Sequence, residues 1–557
     1  MSKKIYYFSC IGILTLHLIL LAFYGTQKHG FYMDEYYSYF TSSGNLSPYP
    51  YSEPFQEVSG SDLQEQFQVT GGHRFDFGTV TQIQSNDVHP PLYYLTLNAL
   101  MSFFPGRFSK WFGIALNSFY SLITCFAVMS LILRLDRGKY KYILSAVAGL
   151  SYAVCPAIIS CVMFTRMYAM SAMWTVIYAN IFARLTINGS DMSRRQFSVL
   201  TFCGALVCYF SFLTHYFCLF PAFFLTLGYC IRSLLRRSGL ARMLSYGGAM
   251  TAAVALAVLT YPASLSQIFT EYRGKGAISS FIRLGLLECV RIYEPIINKY
   301  FYAGLLGFIL VGLIISAVMS AIILYRAKTG AGNITVIATA VAMVSCLITV
   351  YLLCRTSLFS DEFSCRFFYP VMALFIPLTV YCVCKPWFTL NLRARESNGS
   401  PKARQIKILP PPPPICRGIC ILVAAAALFP FFKGLAQENV LFLYKGKITN
   451  LNFARENTQY PAIILYNDES RYRAWFLANE LWQYEKLIYI EGNQEAYPES
   501  ETLKNAQKAI VYISGPEDWL IKLTEQYPHL GSYTLVDLPF ETDYFAIFEL
   551  KPNTAQE

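Results

Sequence analysis

The stretch GFYMDEYYSYF, residues 30–40, sets two carboxylates, Asp34 and Glu35, side by side among tyrosines. An apolar run ends just before it, at the point where a membrane-crossing helix meets water. A carboxylate held there has the means to take a proton from an attacking hydroxyl. Four further motifs place polar side chains at similar boundaries: His89 in DVHPPLYYL, Arg166 and Tyr168 in FTRMYAM, His215 in LTHYF and Arg366 in DEFSCRFFYP. Arginines bind phosphate oxygens through two parallel hydrogen bonds and stabilise phosphate as a leaving group. Imidazoles and phenols offer contacts to sugar hydroxyls and rings. Together these types suit an anionic lipid headgroup that carries a sugar.

Each motif also has a plainer reading. Asp34 and Glu35 suit the first turn of an interfacial helix, where acids cap the free backbone N–H groups. His89 stands before two prolines, as at a helix entry. Arg166 and Arg366 suit snorkelling to headgroups. His215 fits a polar contact between helices, and Tyr168 fits packing. Asp361 and Glu362 read as a solvated loop tip, and His17 as a helix-packing residue. What raises the motifs above these readings is that they share one side of a membrane.

The chain of 557 residues is 55% hydrophobic and only 14% charged, the composition of a polytopic α-helical membrane protein. Apolar runs long enough to span recur at 5–24, 111–133, 142–160, 167–187, 197–214, 216–231, 243–260, 301–325, 333–353, 367–384 and 416–432, which predicts about 11 transmembrane helices. The first run lacks a small-residue cleavage site and reads as an uncleaved helix. A further apolar segment, 91–104, is short for a span and reads as an outer-face juxtamembrane helix. Cysteines, 16 in number, fall mostly inside apolar runs, so neither a disulfide framework nor a structural zinc site is expected. Basic residues lie in short loops, not in a patch suited to nucleic acid.

Orientation follows from the cations. If 91–104 does not cross, lysines and arginines crowd into 1–4, 134–141, 184–196, 232–242, 326–332 and 385–417, opposed only by Asp136, Asp191 and Glu396. That is the positive-inside pattern, and a crossing 91–104 would invert it. The expected protein is therefore a multi-pass plasma (inner) membrane protein with a cytoplasmic N-terminus. Its first loop 25–110, the loops 261–300 and 354–366, and the tail 433–557 face outward. Pro410–Pro414 reads as a stiff connector in the last inner loop. Nucleotide sugars are not normally available outside the cell, so a membrane-tethered donor is the natural supply for an outer cavity.

After residue 433 the apolar runs stop. AIILYN (462–467), KLIYIEG (486–492) and AIVYIS (509–514) read as buried strands. SRYRAWFLANELWQY and PEDWLIKLTEQY read as helices, and YTLVDLP with DYFAIFELK as paired strands. The expectation is a transmembrane domain over 1–432 and a small extracytoplasmic α/β domain over 433–557, without a Gly-rich phosphate loop.

Taken in order, MDEYYS, HPPLYYL, TRMYA, LTHYF and CRFFYP resemble the bacterial branch of the dolichyl-phosphate-mannose–protein mannosyltransferase family, within the GT-C integral-membrane glycosyltransferases. Lipid A aminoarabinose transferase is a relative. The resemblance covers roughly residues 1–385. It implies a polyprenyl-phosphate-linked sugar donor, transfer to a protein, lipid or cell-wall polymer acceptor at the outer face, and inversion at the anomeric carbon. By that similarity Asp34 is the catalytic base, and Glu35 orients the acceptor, the sugar or His89. Arg166 and Arg366 match arginines at outer helix ends and go to phosphate. The carboxylate pair is also a candidate for a divalent cation, although no complete ligand set is evident. Two rival functions fit the same composition, a transporter or flippase for lipid-linked sugars and a sugar-binding receptor. Midplane charges and internal repeats would mark the transporter, and neither is clear in the sequence.

Overall fold

The computed structural model describes residues 1–46, 54–189, 192–235, 239–327, 331–357, 361–398, 413–468, 470–538 and 544–552. Among them, nine helices are long and apolar enough to cross a membrane. They begin with Lys3–Thr26 and Lys110–Leu135 and end with Glu362–Leu390 and Arg417–Ala436. The expected span 142–160 is broken: Lys141–Ala153 and Pro156–Met163 meet at 51°. Pro156 opens the second piece, where its missing N–H costs nothing, but it cannot continue the first. Counted as one span, this pair makes a tenth.

The expected span 167–187 forms the 21-residue helix Tyr168–Asn188, which is not among these nine or ten. Ser171, Thr175, Tyr178 and Asn180 make it less apolar than the others, and nearly all its side chains face protein. The expected span 301–325 starts later, at Leu306. Ala303 (φ 51°) and Gly304 (φ 80°) adopt left-handed backbone and end the preceding helix Leu286–Tyr302. The segment 91–104 contains the short helix Leu92–Met101, too short to span. Pro410–Pro412 of the expected connector lie outside the described residues, and Pro413 opens the helix Pro413–Ala436.

The tail forms the expected strands. β1 (Phe55–Val58) precedes them in the chain, followed by β2 (Ala462–Tyr466), β3 (Leu487–Glu491), β4 (Ala509–Ile513), β5 (Ser532–Leu535) and β6 (Ala546–Lys551). The sheet order is β1-β3-β2-β4-β6-β5, parallel at β3-β2-β4 and antiparallel elsewhere. The three parallel strands are buried almost throughout, as a sheet covered on both faces requires. β1 comes from the first loop, which the sequence did not mark as strand, so the tail's sheet is completed from residues before the second span.

Candidate active site

The first loop folds back as the helix Met33–Ser43, whose first turn holds Asp34 and Glu35. Glu35 caps this turn: its Oε2 accepts from the Tyr32 N–H at 2.8 Å. The same carboxylate meets the Lys28 ammonium at 3.0 Å, and its Oε1 accepts from the Thr165 N–H at 2.8 Å. Lys28 in turn donates to the Phe442 carbonyl at 2.6 Å. Neither Lys28 nor Glu35 has any exposed side chain. Burial pushes the Glu35 carboxyl up and the Lys28 ammonium down, and each is opposed by the other's charge. Both Glu35 oxygens are therefore engaged within the protein. They tie the start of this helix to the turn that carries Arg166 and to the chain entering the tail.

Asp34, one residue away, keeps 19% of its side chain exposed. Its carboxylate lies 3.7 Å from the Arg366 guanidinium. Arg166 Nη1 donates to the Asp34 backbone carbonyl at 3.2 Å and to Ser38 Oγ at 3.4 Å. Burial raises the Asp34 carboxyl, but Arg366, Arg166 and Arg273 together outweigh it and hold the group below its ordinary value. Asp34 is thus an ionised carboxylate between buried arginines, with one open side.

Packing fixes the two arginines. Arg366 rides near the start of Cys365–Asn398, a span buried inside the protein over most of its apolar length. Tyr32 and Phe367 lie 5.1 Å from its guanidinium and Phe164 at 5.9 Å, an aromatic collar around the cation. Arg166 sits in the turn between Pro156–Met163 and Tyr168–Asn188, with Tyr94 at 5.7 Å. The buried Asn117 amide donates to Phe164 O at 2.8 Å and Val162 O at 3.2 Å, and Tyr93 O–H donates to Asn117 at 3.1 Å. At Gly113 any Cβ would come within 2.2 Å of Thr165, so glycine permits this turn to sit against the helix Lys110–Leu135.

The remaining predicted residues join the same cluster. His89 stacks on His215 at 5.6 Å, and Tyr168 lies 5.5 Å from His215. His215 closes the helix Arg194–Thr214, and its Nδ1 accepts from the Phe217 N–H at 3.1 Å. Burial lowers both imidazoles, assisted by nearby Arg166: His89 well below its usual range and His215 to about 3. Both rings are neutral near pH 7 and suited to hydrogen bonding. Tyr168 and His215 also line a small void of about 10 Å³, closed by Phe217, Leu353, Phe367, Pro370 and Val371.

Asp34, Arg166, Arg366, His89, Tyr168 and His215 therefore converge, as sequence reasoning placed them. Lys28, Ser38, Tyr94, Thr165 and Arg273 escaped it. Lys28 had one available signal: a lone cation at the end of the first span where the positive-inside pattern is otherwise sparing. The carboxylate pair does not fit as a joint cation ligand, since Glu35 is bound by Lys28, Tyr32 and Thr165. Among the described residues no group of three or more His, Cys, Asp or Glu is placed to hold a metal ion.

No protein-family model and no curated protein matches the chain. Among solved structures, ArnT from Cupriavidus metallidurans bound to undecaprenyl phosphate is similar at 12% identity and a TM-score of 0.50, over 97% of each chain. The apo oligosaccharyltransferase of Archaeoglobus fulgidus gives a TM-score of 0.49 at 13% identity, over 96% of this chain and 70% of that one. The chain has the fold of the GT-C membrane glycosyltransferases, with many membrane-spanning helices and a small α/β sheet.

Proposed function

We propose that the protein is a glycosyltransferase that moves a sugar from a polyprenyl-phosphate donor to an acceptor hydroxyl at the outer face of the plasma membrane. The observation that carries this reading is the partly open Asp34 carboxylate, 3.7 Å from Arg366 and bound through its backbone to Arg166. Electrostatics support it: Arg366, Arg166 and Arg273 all act on Asp34, and a field of buried guanidiniums of this kind suits a phosphate. The similar ArnT structure has undecaprenyl phosphate bound, which accords with such a donor.

In the proposed reaction the donor's phosphate lies on Arg166 and Arg366, and its isoprene chain runs from them past Tyr168 and Phe367. Arg366 loosens its long contact to Asp34 as phosphate arrives. Asp34 then takes the proton of the acceptor hydroxyl. The hydroxyl oxygen bonds to the anomeric carbon as the carbon–oxygen bond to phosphate breaks on the opposite face, so the configuration inverts. Both electrons of the broken bond leave with the polyprenyl phosphate, whose charge the arginines stabilise. His89 and His215, both neutral, bind sugar hydroxyls. Glu35 does not touch substrate in this scheme; it fixes Asp34 against the Arg166 turn. The acceptor class is protein, lipid or cell-wall polymer.

The test is a panel of radiolabelled polyprenyl-phosphate sugars given to purified protein in lipid, wild type beside Asp34→Asn. Labelled product and free polyprenyl phosphate from wild type alone support the reading. Intact donor carried across the bilayer without release of its phosphate would replace it with the transport function.

A further inference from the structure

The bundle has a cleft at the end remote from Asp34. The helix Lys110–Leu135 starts beside the active site, where Tyr39 O–H bonds to Ser109 O and Lys110 O at 3.2 Å. Its 26 residues carry the chain ~39 Å away. There, with the end of Tyr168–Asn188, it borders an open cleft of about 180 Å³ lined by Leu133, Arg134, Arg137, Arg184, Ile187 and Asn188.

Three guanidiniums share this cleft, and the hydrogen bonds of Arg134 and Arg137 go to neutral groups. Arg134 Nε donates to Asn180 Oδ1 at 3.2 Å, and Arg137 Nη2 to Asn188 Oδ1 at 2.5 Å. Asn180 is oriented for this, because its amide N–H groups donate to Ala127 O and Val176 O at 2.9 and 3.0 Å. The acid on the same turn, Asp136, is taken by Lys385 at 2.5 Å and has only 2% of its side chain exposed. Among the described residues no ion pair reaches Arg134, Arg137 or Arg184. Three like charges gathered with no ion pair among the described residues raise the energy of the site until an anion joins them.

The cleft is also two-sided. Its rim is guanidinium and its floor is the buried Ile187 and Ala183 with Leu133. This change from charge to hydrocarbon falls where the spanning helices end, matching a headgroup and the first methylenes of its chains. A soluble phosphate has no use for the floor. We propose that this cleft binds the phosphate-bearing headgroup of one anionic phospholipid, in the leaflet opposite the Asp34 site.

The test is native mass spectrometry of the purified full chain titrated with phosphatidylglycerol, with phosphatidylcholine and with inorganic phosphate. Two triple variants are compared: Arg134→Gln with Arg137→Gln and Arg184→Gln in the cleft, and Lys139→Gln with Arg194→Gln and Arg195→Gln at the same end but outside it. Wild type is expected to hold one phosphatidylglycerol in preference to phosphatidylcholine. The cleft variant should lose roughly 100-fold in affinity, from about fivefold per charge, and the outer variant far less. Equal retention of the two lipids, or equal loss in the two triple variants, would overturn the site. Displacement of phosphatidylglycerol by millimolar inorganic phosphate would overturn the lipid assignment. If the cleft variant unfolds, Arg137→Gln alone should still show its fivefold loss, and no loss there counts against the proposal.

Discussion

Two carboxylates on one helical turn, Asp34 and Glu35, differ in everything except chemistry. Glu35 is closed: Lys28 at 3.0 Å and two backbone N–H groups at 2.8 Å occupy it, and none of its side chain is exposed. Asp34 is partly open, with 19% exposure and a looser arginine at 3.7 Å. A fully satisfied buried pair resists exchange, because breaking it strands a charge. A long, partly solvated pair exchanges its partner readily. Proton transfer to a substrate needs the second kind, and holding the base in place needs the first. The tail repeats the closed kind: Lys447 and Glu480 meet at 3.3 Å with neither exposed. Lys447 also packs on Gly30, where any Cβ would come within 2.6 Å of its Cδ, so the tail is seated against the segment that leads into the Asp34 turn.

This contrast is easiest to break with substitutions. Asp34→Asn should lower kcat by about 10²–10⁴-fold while donor binding, read by equilibrium titration, is retained. Arg366→Gln should cost about 10²–10³-fold in kcat through lost stabilisation of the departing phosphate. It should also move the acid limb of the pH–rate profile upward. Arg366 helps hold the Asp34 carboxyl down, the base works only when ionised, and activity disappears as pH falls through its pKa. Arg273→Gln should shift the limb the same way by less, since Arg273 ranks behind Arg366 and Arg166 in holding that carboxyl down.

On the closed side, Lys28→Met should destabilise the protein by about 3–5 kcal/mol in thermal or denaturant unfolding, by leaving Glu35 buried and unpaired. Lys28→Met with Glu35→Leu should recover most of that stability. The smallest effect expected is at Asn479. Its side chain donates to His29 O at 2.9 Å and its N–H to Tyr36 Oη at 3.1 Å. Asn479→Ala keeps the second bond and should cost about 1 kcal/mol, with transfer by the folded fraction little changed.

The open half of the site was legible in the sequence and the closed half was not. Asp34, Arg166, Tyr168, His215 and Arg366 each sit at the end of an apolar run, so span counting and the cation pattern alone put them on one side. Lys28, Thr165 and Phe442 reach Glu35 by pairings that no local pattern encodes: Thr165 binds it from 130 positions away, and Phe442 meets Lys28 from 414 positions away. β1 was hidden for the same reason, since four residues become a strand only beside β3. The helical capping reading of the pair held for Glu35, which caps its own helix, and it says nothing against Asp34 as base. Pro156 marked its break openly, but an apolar run of spanning length outweighed one proline in the reading of 142–160.

The measurement that bears most directly on the division of labour is transfer and donor binding in Asp34→Asn and Glu35→Gln, side by side, in lipid and at one pH. The account predicts that Asp34→Asn binds donor and does not transfer, whereas Glu35→Gln loses stability and keeps transfer per folded molecule. A stable Glu35→Gln protein that binds donor without transferring it, beside an active Asp34→Asn, would contradict the account.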